Sequence, residues 1–165
     1  FDLGNSPFAY MNGNVQGKTI AITTTNGTRA IRMSEEADEI VVGAFLNLQA
    51  VANHLQDLQL DVLVVCAGWK GKFNLEDTLY AGALVERLQH TFAFENDATL
   101  ASLYLYQASK QDMVTFLRQS SHVRRLEDLE IHKDIEFCLQ HDVYNTLPVW
   151  KHDRLVDLAV KNEMA

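Results

Sequence analysis

The chain has 165 residues, 47% of them hydrophobic, which is enough apolar material for one packed domain and too much for a disordered one. Its formal charge of −8, from 14 Lys and Arg against 22 Asp and Glu, argues against nucleic acid as a partner and leaves room for a small anion in a locally positive site. No apolar run approaches the roughly 20 residues that span a bilayer and no signal-peptide pattern opens the sequence, so a cytoplasmic protein without a membrane partner is expected.

In chain order, the stretch FDLGNSP first offers a turn around Asn5 and Ser6. A strand is expected at residues 18–25, KTIAITTT, whose β-branched residues end in the turn pair Asn26-Gly27. A short helix, TRAIRMSEEA, follows from Thr28. The second strand is expected at residues 39–45, EIVVGAF, with Asn47 at a helix N-cap and Leu48, Val51, Ala52, Leu55 and Leu58 recurring behind it at helical spacing. The third, at residues 61–67, is a continuous apolar run of the kind that strands buried on both faces show. The loop GWKGKFN then leads into a helix from about Leu75.

Strands alternating with helices predict an α/β fold, a layered α/β/α arrangement around a mainly parallel sheet. Beyond residue 91 the texture turns helical across 96–142, Pro148 marks a last extended segment, and the tail DRLVDLAVKNEMA is expected to be a helix. Only Pro7 and Pro148 interrupt the chain and no linker is evident, so residues 1–165 form a single α/β domain in this reading. Cys66 and Cys138 are expected as buried, unpaired thiols in a reducing compartment.

Ligands of open parallel sheets bind where the strands' carboxyl ends open into loops. Those ends carry Thr25, Asn26, Gly27 and Thr28, then Asn47, then residues 68–77. TTTNGT has the physics of an anion cradle: a glycine for close approach, hydroxyl donors, and a helix start with unpaired N–H groups. The plainer alternative is an Asn-Gly turn with a threonine cap. Glu76 and Asp77 follow Asn74, a plausible N-cap, and continue the stripe of Tyr80, Ala81, Leu84, Val85 and Leu88. They fit either helix capping or a hard cation such as Mg²⁺, and both readings stay open. His122, within SSHVRRL beside Ser121, Arg124 and Arg125, reads as a solvated junction; His54, His90, His132, His141 and His152 show no ligand spacing.

Taken together, FDLGNSP, KTIAITTTNGTRAI, GAFLN, VLVVCAG and the run FNLEDTLYAGALVERL resemble the 2-phosphosulfolactate phosphatases in order and spacing along residues 1 to 90, and more loosely beyond. The resemblance implies a Mg²⁺-dependent phosphatase that hydrolyses 2-phosphosulfolactate to 3-sulfolactate and phosphate in the route to coenzyme M, on an α/β fold with layered helices. It implies Glu76 and Asp77 as catalytic and metal-holding groups, and Asn5, Ser6, Thr25, Asn26, Gly27, Thr28 and Asn47 as substrate-binding ones, with Arg29 a weaker candidate.

The family's pattern opens with a further segment carrying an Asp-x-x-Arg-Ala-Thr type motif and a Gly-Glu-Arg stretch, neither of which occurs here. The chain therefore resembles the C-terminal two-thirds of a family member, with little activity expected of it alone. A non-catalytic anion-binding module is the main alternative and a purely structural domain a third; homo-oligomerisation stays open.

Overall fold

A computed structural model of the protein describes residues 2–11, 13, 15–118, 120 and 129–159. The turn expected around Ser121, His122, Arg124 and Arg125, and the end of the expected tail helix, lie outside the described residues.

Helices carry most of the regular structure: α1 (Gly27–Met33), α2 (Leu48–Leu58), α3 (Leu75–Leu88), α4 (Asp97–Ser109), α5 (Met113–Arg118) and α6 (Leu129–Cys138). Asn74 starts α3 by accepting the Glu76 N–H on its side chain at 3.0 Å, and Asn96 does the same for Thr99 in α4 at 2.9 Å. Each satisfies one donor that a helix start leaves orphaned. Behind Asn74, Leu79, Ala83, Leu84 and Leu88 turn the apolar stripe of α3 into the core, where they meet Leu48, Tyr106, Leu117 and Val149.

α3 and α4 touch at Gly82. A side-chain carbon there would collide with the Ser102 carbonyl oxygen, and it would lie 2.7 Å from Cβ of Tyr106. Because the obstructing atoms belong to a helix backbone, they yield only if α4 moves. Gly82→Ala is therefore expected to cost about 1–3 kcal/mol, the usual penalty of overpacking, and a thermal melt of the variant checks it.

The sheet differs from expectation. β1 (Pro148–Lys151) and β2 (Arg154–Asp157) form an antiparallel hairpin with Val149 opposite Val156 and Trp150 opposite Leu155. His152 and Asp153 make its turn, both with positive φ, as a two-residue hairpin requires. The segment around Pro148 is thus extended as expected, whereas Arg154–Asp157 is strand rather than part of a terminal helix. Among the described residues no parallel pair forms, and the layered α/β/α sheet is not seen.

Of the three expected strands, residues 39–45 come nearest. The Val42 N–H donates to Pro148 O and the Trp150 N–H to Ile40 O, both at 2.9 Å, so this run is antiparallel to β1. Residues 18–25 and 61–67 stand in no ladder. Their composition favours a strand, but β-propensity reports fit to a paired and covered surface. Among the described residues neither run has a neighbouring strand. Ile22 is accordingly 60% exposed and Leu63 86%.

Cys66 and Cys138 are unpaired as expected, but both are exposed rather than buried. Cys66 loses its cover with the uncovered run that carries it. Partial burial of the sulfur and then the charge of Asp77 push the Cys66 thiol above its ordinary value; partial burial and then Asp134 do the same for Cys138. The thiolate is the reactive form. Both cysteines should therefore alkylate in the native protein, more slowly near pH 8 than a free peptide thiol, and gain rate as pH rises further. Mass spectrometry of iodoacetamide-treated samples across a pH series measures this.

Candidate functional site

A short loop, residues 68–74, joins the 61–67 run to α3, and one acidic side chain ties the start of that loop to the helix. The Gly68 N–H donates to Asp77 Oδ2 at 2.6 Å. Asp77 thus reaches out of the helix to the preceding loop instead of back to its own first turn, so the capping role that its position allows is not the one it performs. Glu76 points elsewhere: Ser120 Oγ donates to its Oε1 at 3.3 Å, and its Oε2 is buried with no hydrogen-bond partner among the described residues. A buried carboxylate oxygen without a partner is costly, and it is the kind of group a cation or a bound water satisfies.

Between Gly68 and Asp77 the chain makes a two-residue hairpin. Trp69 and Lys72 exchange both backbone hydrogen bonds at 3.0 Å, while Lys70 and Gly71 both have positive φ. Gly68 enters this turn at φ +67, and a side-chain carbon on it would lie 2.5 Å from Lys72 O. The ammonium of Lys70 sits 4.5 Å from the centre of the Trp69 ring, a cation–π arrangement that orients it. The Lys70 N–H donates to Asn26 Oδ1 at 3.2 Å. One hairpin therefore links the TTTNGT loop on one side to the acidic tip of α3 on the other. The convergence expected of strand ends is present here for the first and third runs, even without a ladder between them.

In the TTTNGT loop the helix starts at Gly27, one residue before the expected Thr28. Thr24 Oγ1 accepts the Thr28 N–H at 3.1 Å and Thr28 Oγ1 donates to Thr24 O at 2.6 Å, so two of the cradle's polar groups are used within the loop. Gly27 needs no left-handed φ; a side chain there would press on Thr24 Oγ1 at 3.1 Å. Thr25 is exposed at the loop's tip. Beside it, Ile22, Thr23, Thr28, Arg29, Arg32 and Met33 line an open groove with two guanidinium groups.

Three further expected residues have other positions. Asn5 is exposed. Ser6 Oγ donates to Asp134 Oδ1 at 2.8 Å and Phe8 packs on Phe137, which fixes the N-terminal turn on α6. Asn47 is buried at the head of α2, where its Oδ1 accepts the Ala44 N–H at 2.8 Å and its Nδ2 donates to Val42 O and Thr146 O. That amide is spent on the backbone. His54 bonds Glu39 at 2.5 Å and His141 lies 3.1 Å from the Tyr106 hydroxyl, both apart from the hairpin's contacts.

Lys70, Lys72, Arg32 and Ser120 escaped the sequence reading. The Lys-Gly pair after Trp69 was the available signal for the hairpin, since Lys-Gly at its centre puts glycine where a positive φ is needed. Ser120 offered none, because only folding brings it to Glu76.

Mg²⁺ takes one or two carboxylates and completes its shell with water and phosphate. Among the described residues no three His, Cys, Asp or Glu side chains gather as an all-protein cage. The unpartnered Glu76 Oε2 fits the carboxylate-poor kind of site, with Asp77 adjacent in sequence.

A family model described as 2-phosphosulpholactate phosphatase matches residues 1–153. Among curated relatives, a probable 2-phosphosulfolactate phosphatase of Caldanaerobacter subterraneus subsp. tengcongensis is 42% identical over 153 residues, covering 92% of this chain and 64% of its own. Others so named are 42% identical over 148 residues in Thermotoga petrophila, covering 90% and 63%, and 36% identical over 156 residues in Cyanothece sp., covering 90% and 64%. The chain spans just under two thirds of the length of these relatives.

Proposed function

The chain belongs to the 2-phosphosulfolactate phosphatase family, and from that premise we propose that it carries the phosphate-handling part of an enzyme that hydrolyses 2-phosphosulfolactate to 3-sulfolactate and phosphate, a step in the route to coenzyme M. The observation behind the reading is the Trp69–Lys72 hairpin, which links the TTTNGT loop to Asp77 and sits between cationic and acidic groups. Water attacks phosphorus, the bond from phosphorus to the substrate's C2 oxygen breaks, and that oxygen leaves with a proton.

The substrate carries a phosphate, a sulfonate and a carboxylate, so its pocket must supply positive charge that the chain's overall balance lacks. Lys70 and Lys72 provide it on the hairpin, and Arg29 and Arg32 on the neighbouring groove. Thr25, the Asn26 amide nitrogen and the Gly27 backbone N–H hold phosphate oxygens in this reading, with Thr28 bonded to Thr24 to shape the loop, and donors aimed at those oxygens stabilise the charge that builds during transfer.

Glu76, through its unpartnered oxygen, and Asp77 would hold Mg²⁺. Bound there, the cation would neutralise phosphate charge and lower the pKa of a water. Asp77 meanwhile fixes the hairpin through Gly68, so the same carboxylate serves the loop that presents Lys70.

Phosphate release from 2-phosphosulfolactate, followed by phosphorus NMR across a Mg²⁺ series, tests this in the 165-residue chain and in the full-length Caldanaerobacter relative. Release that needs Mg²⁺ in the relative, and substrate binding without fast turnover in the chain, is the expected result. A relative that leaves 2-phosphosulfolactate intact while hydrolysing unrelated phosphomonoesters would overturn the substrate assignment.

A further inference from the structure

Residues 60–67, LDVLVVCA, have the sequence of a buried strand and lack a strand's surroundings. Among the described residues none of their backbone groups makes a hydrogen bond, and none of them has a positive φ. Val62 and Val64 are half-buried, with Val64 packed on the core, while Leu63 and Val65 are 86% and 49% exposed. Across residues 61–65 inside and outside thus alternate with the two-residue period of a strand, and Leu63 and Val65 on the outer side are apolar too. Residues 19–23 likewise make no backbone hydrogen bond among the described residues, and all of them are exposed, Ile20 and Ile22 included. Backbone polar groups are obligatory hydrogen-bonding groups, and a free apolar edge is a template for another strand.

We propose that these two runs are a docking edge for β-strand polypeptide from the part of the family's length that lies outside this chain's match. That polypeptide would pair with the free N–H and C=O groups and cover Leu63, Val65 and Ile22. The relatives supply the reason for this occupant: they align over 90–94% of this chain but only 63–67% of their own length. About a third of the family's polypeptide is thus available to complete a sheet. Charge does not select the partner, since Asp61 is the only charged residue in the two runs. Pairing of backbones and apolar contact remain. The inference stands independently of the catalytic reading.

Hydrogen exchange with mass spectrometry tests it. In this chain the amides of 60–67 and 19–23 should exchange at close to free-peptide rates. In the full-length Caldanaerobacter relative the equivalent amides should exchange at least about tenfold more slowly. In that full-length relative, lysine at the position equivalent to Leu63 should speed exchange of these amides about tenfold or more, while lysine at the position equivalent to Leu155, on exposed β2, should not. Placed in this chain, neither Leu63→Lys nor Leu155→Lys should shift the melting curve, since both side chains are exposed. Fast exchange at these amides in the full-length relative would overturn the inference. So would protection of the same amides in this chain alone with a doubled mass, which would make a second copy the occupant.

Discussion

Replacing the aspartate at position 77 with asparagine should lower Mg²⁺-dependent hydrolysis of 2-phosphosulfolactate about a thousandfold in a full-length family member. The amide is close in shape and keeps an oxygen that can accept the Gly68 N–H, so the hairpin should stay in place. What disappears is negative charge at the tip of α3, which a hard cation requires. Losing the charge assistance of that hydrogen bond should cost no more than about 1–2 kcal/mol of stability. Turnover and a melting curve on the same sample therefore separate two roles for Asp77. A variant that turns over normally but melts earlier would make Asp77 a loop anchor only. A variant that melts normally but fails to turn over would mark it as a group that meets metal or substrate.

The second large effect is expected at Gly68. An alanine there must adopt φ near +67, which costs about 1–2 kcal/mol for a residue with a side chain. Its Cβ must also stand 2.5 Å from the Lys72 carbonyl oxygen, a backbone atom held by the hairpin's own hydrogen bonds. Adding about 1–3 kcal/mol for that overlap gives a total loss of about 2–5 kcal/mol. Gly71→Ala is the control. It also has a positive φ, but open space surrounds it, so only the conformational cost applies. Chemical denaturation of the two variants should rank them Gly68 well above Gly71. Equal losses would mean that Lys72 moves aside freely, and that the hairpin does not fix Asp77.

The parts of the fold that sequence revealed are those decided locally. α2 and α3 announce themselves by apolar residues at helical spacing, and Asn74 caps α3 as its position predicts. The hydrophobic runs at 18–25 and 61–67 were legible too, but a strand needs a neighbour, and local composition cannot supply one. Residues 39–45 show the converse, since they pair with β1, more than a hundred residues away. The tail failed for a related reason. Arg154–Asp157 has helix-compatible residues, yet the positive-φ turn at His152 and Asp153 folds it back on β1.

Of the candidate residues, sequence conveyed which loops come together more than what each side chain touches. Asn26 and Asp77 were singled out as neighbours across a sheet edge, and Lys70 and Gly68 connect them. Asn47 misled because a cap position says nothing of where the side chain turns once Thr146 is beside it. Ser6 likewise finds Asp134, a partner 128 residues away that spacing could not reveal.

In the proposed site a phosphorylated, doubly substituted acid would be held where the TTTNGT loop, the Trp69–Lys72 hairpin and the tip of α3 meet. The most direct measurement is a titration of the isotopically labelled chain with 2-phosphosulfolactate and Mg²⁺, followed by amide chemical shifts. Saturable shifts should concentrate in residues 25–29, 68–72 and 74–78, and the Gly68 amide should move because its partner Asp77 changes environment. Shifts gathered instead around Arg87 and Asp142, with the Gly68 amide unmoved at saturation, would contradict the assignment and put the anion at the other end of α3.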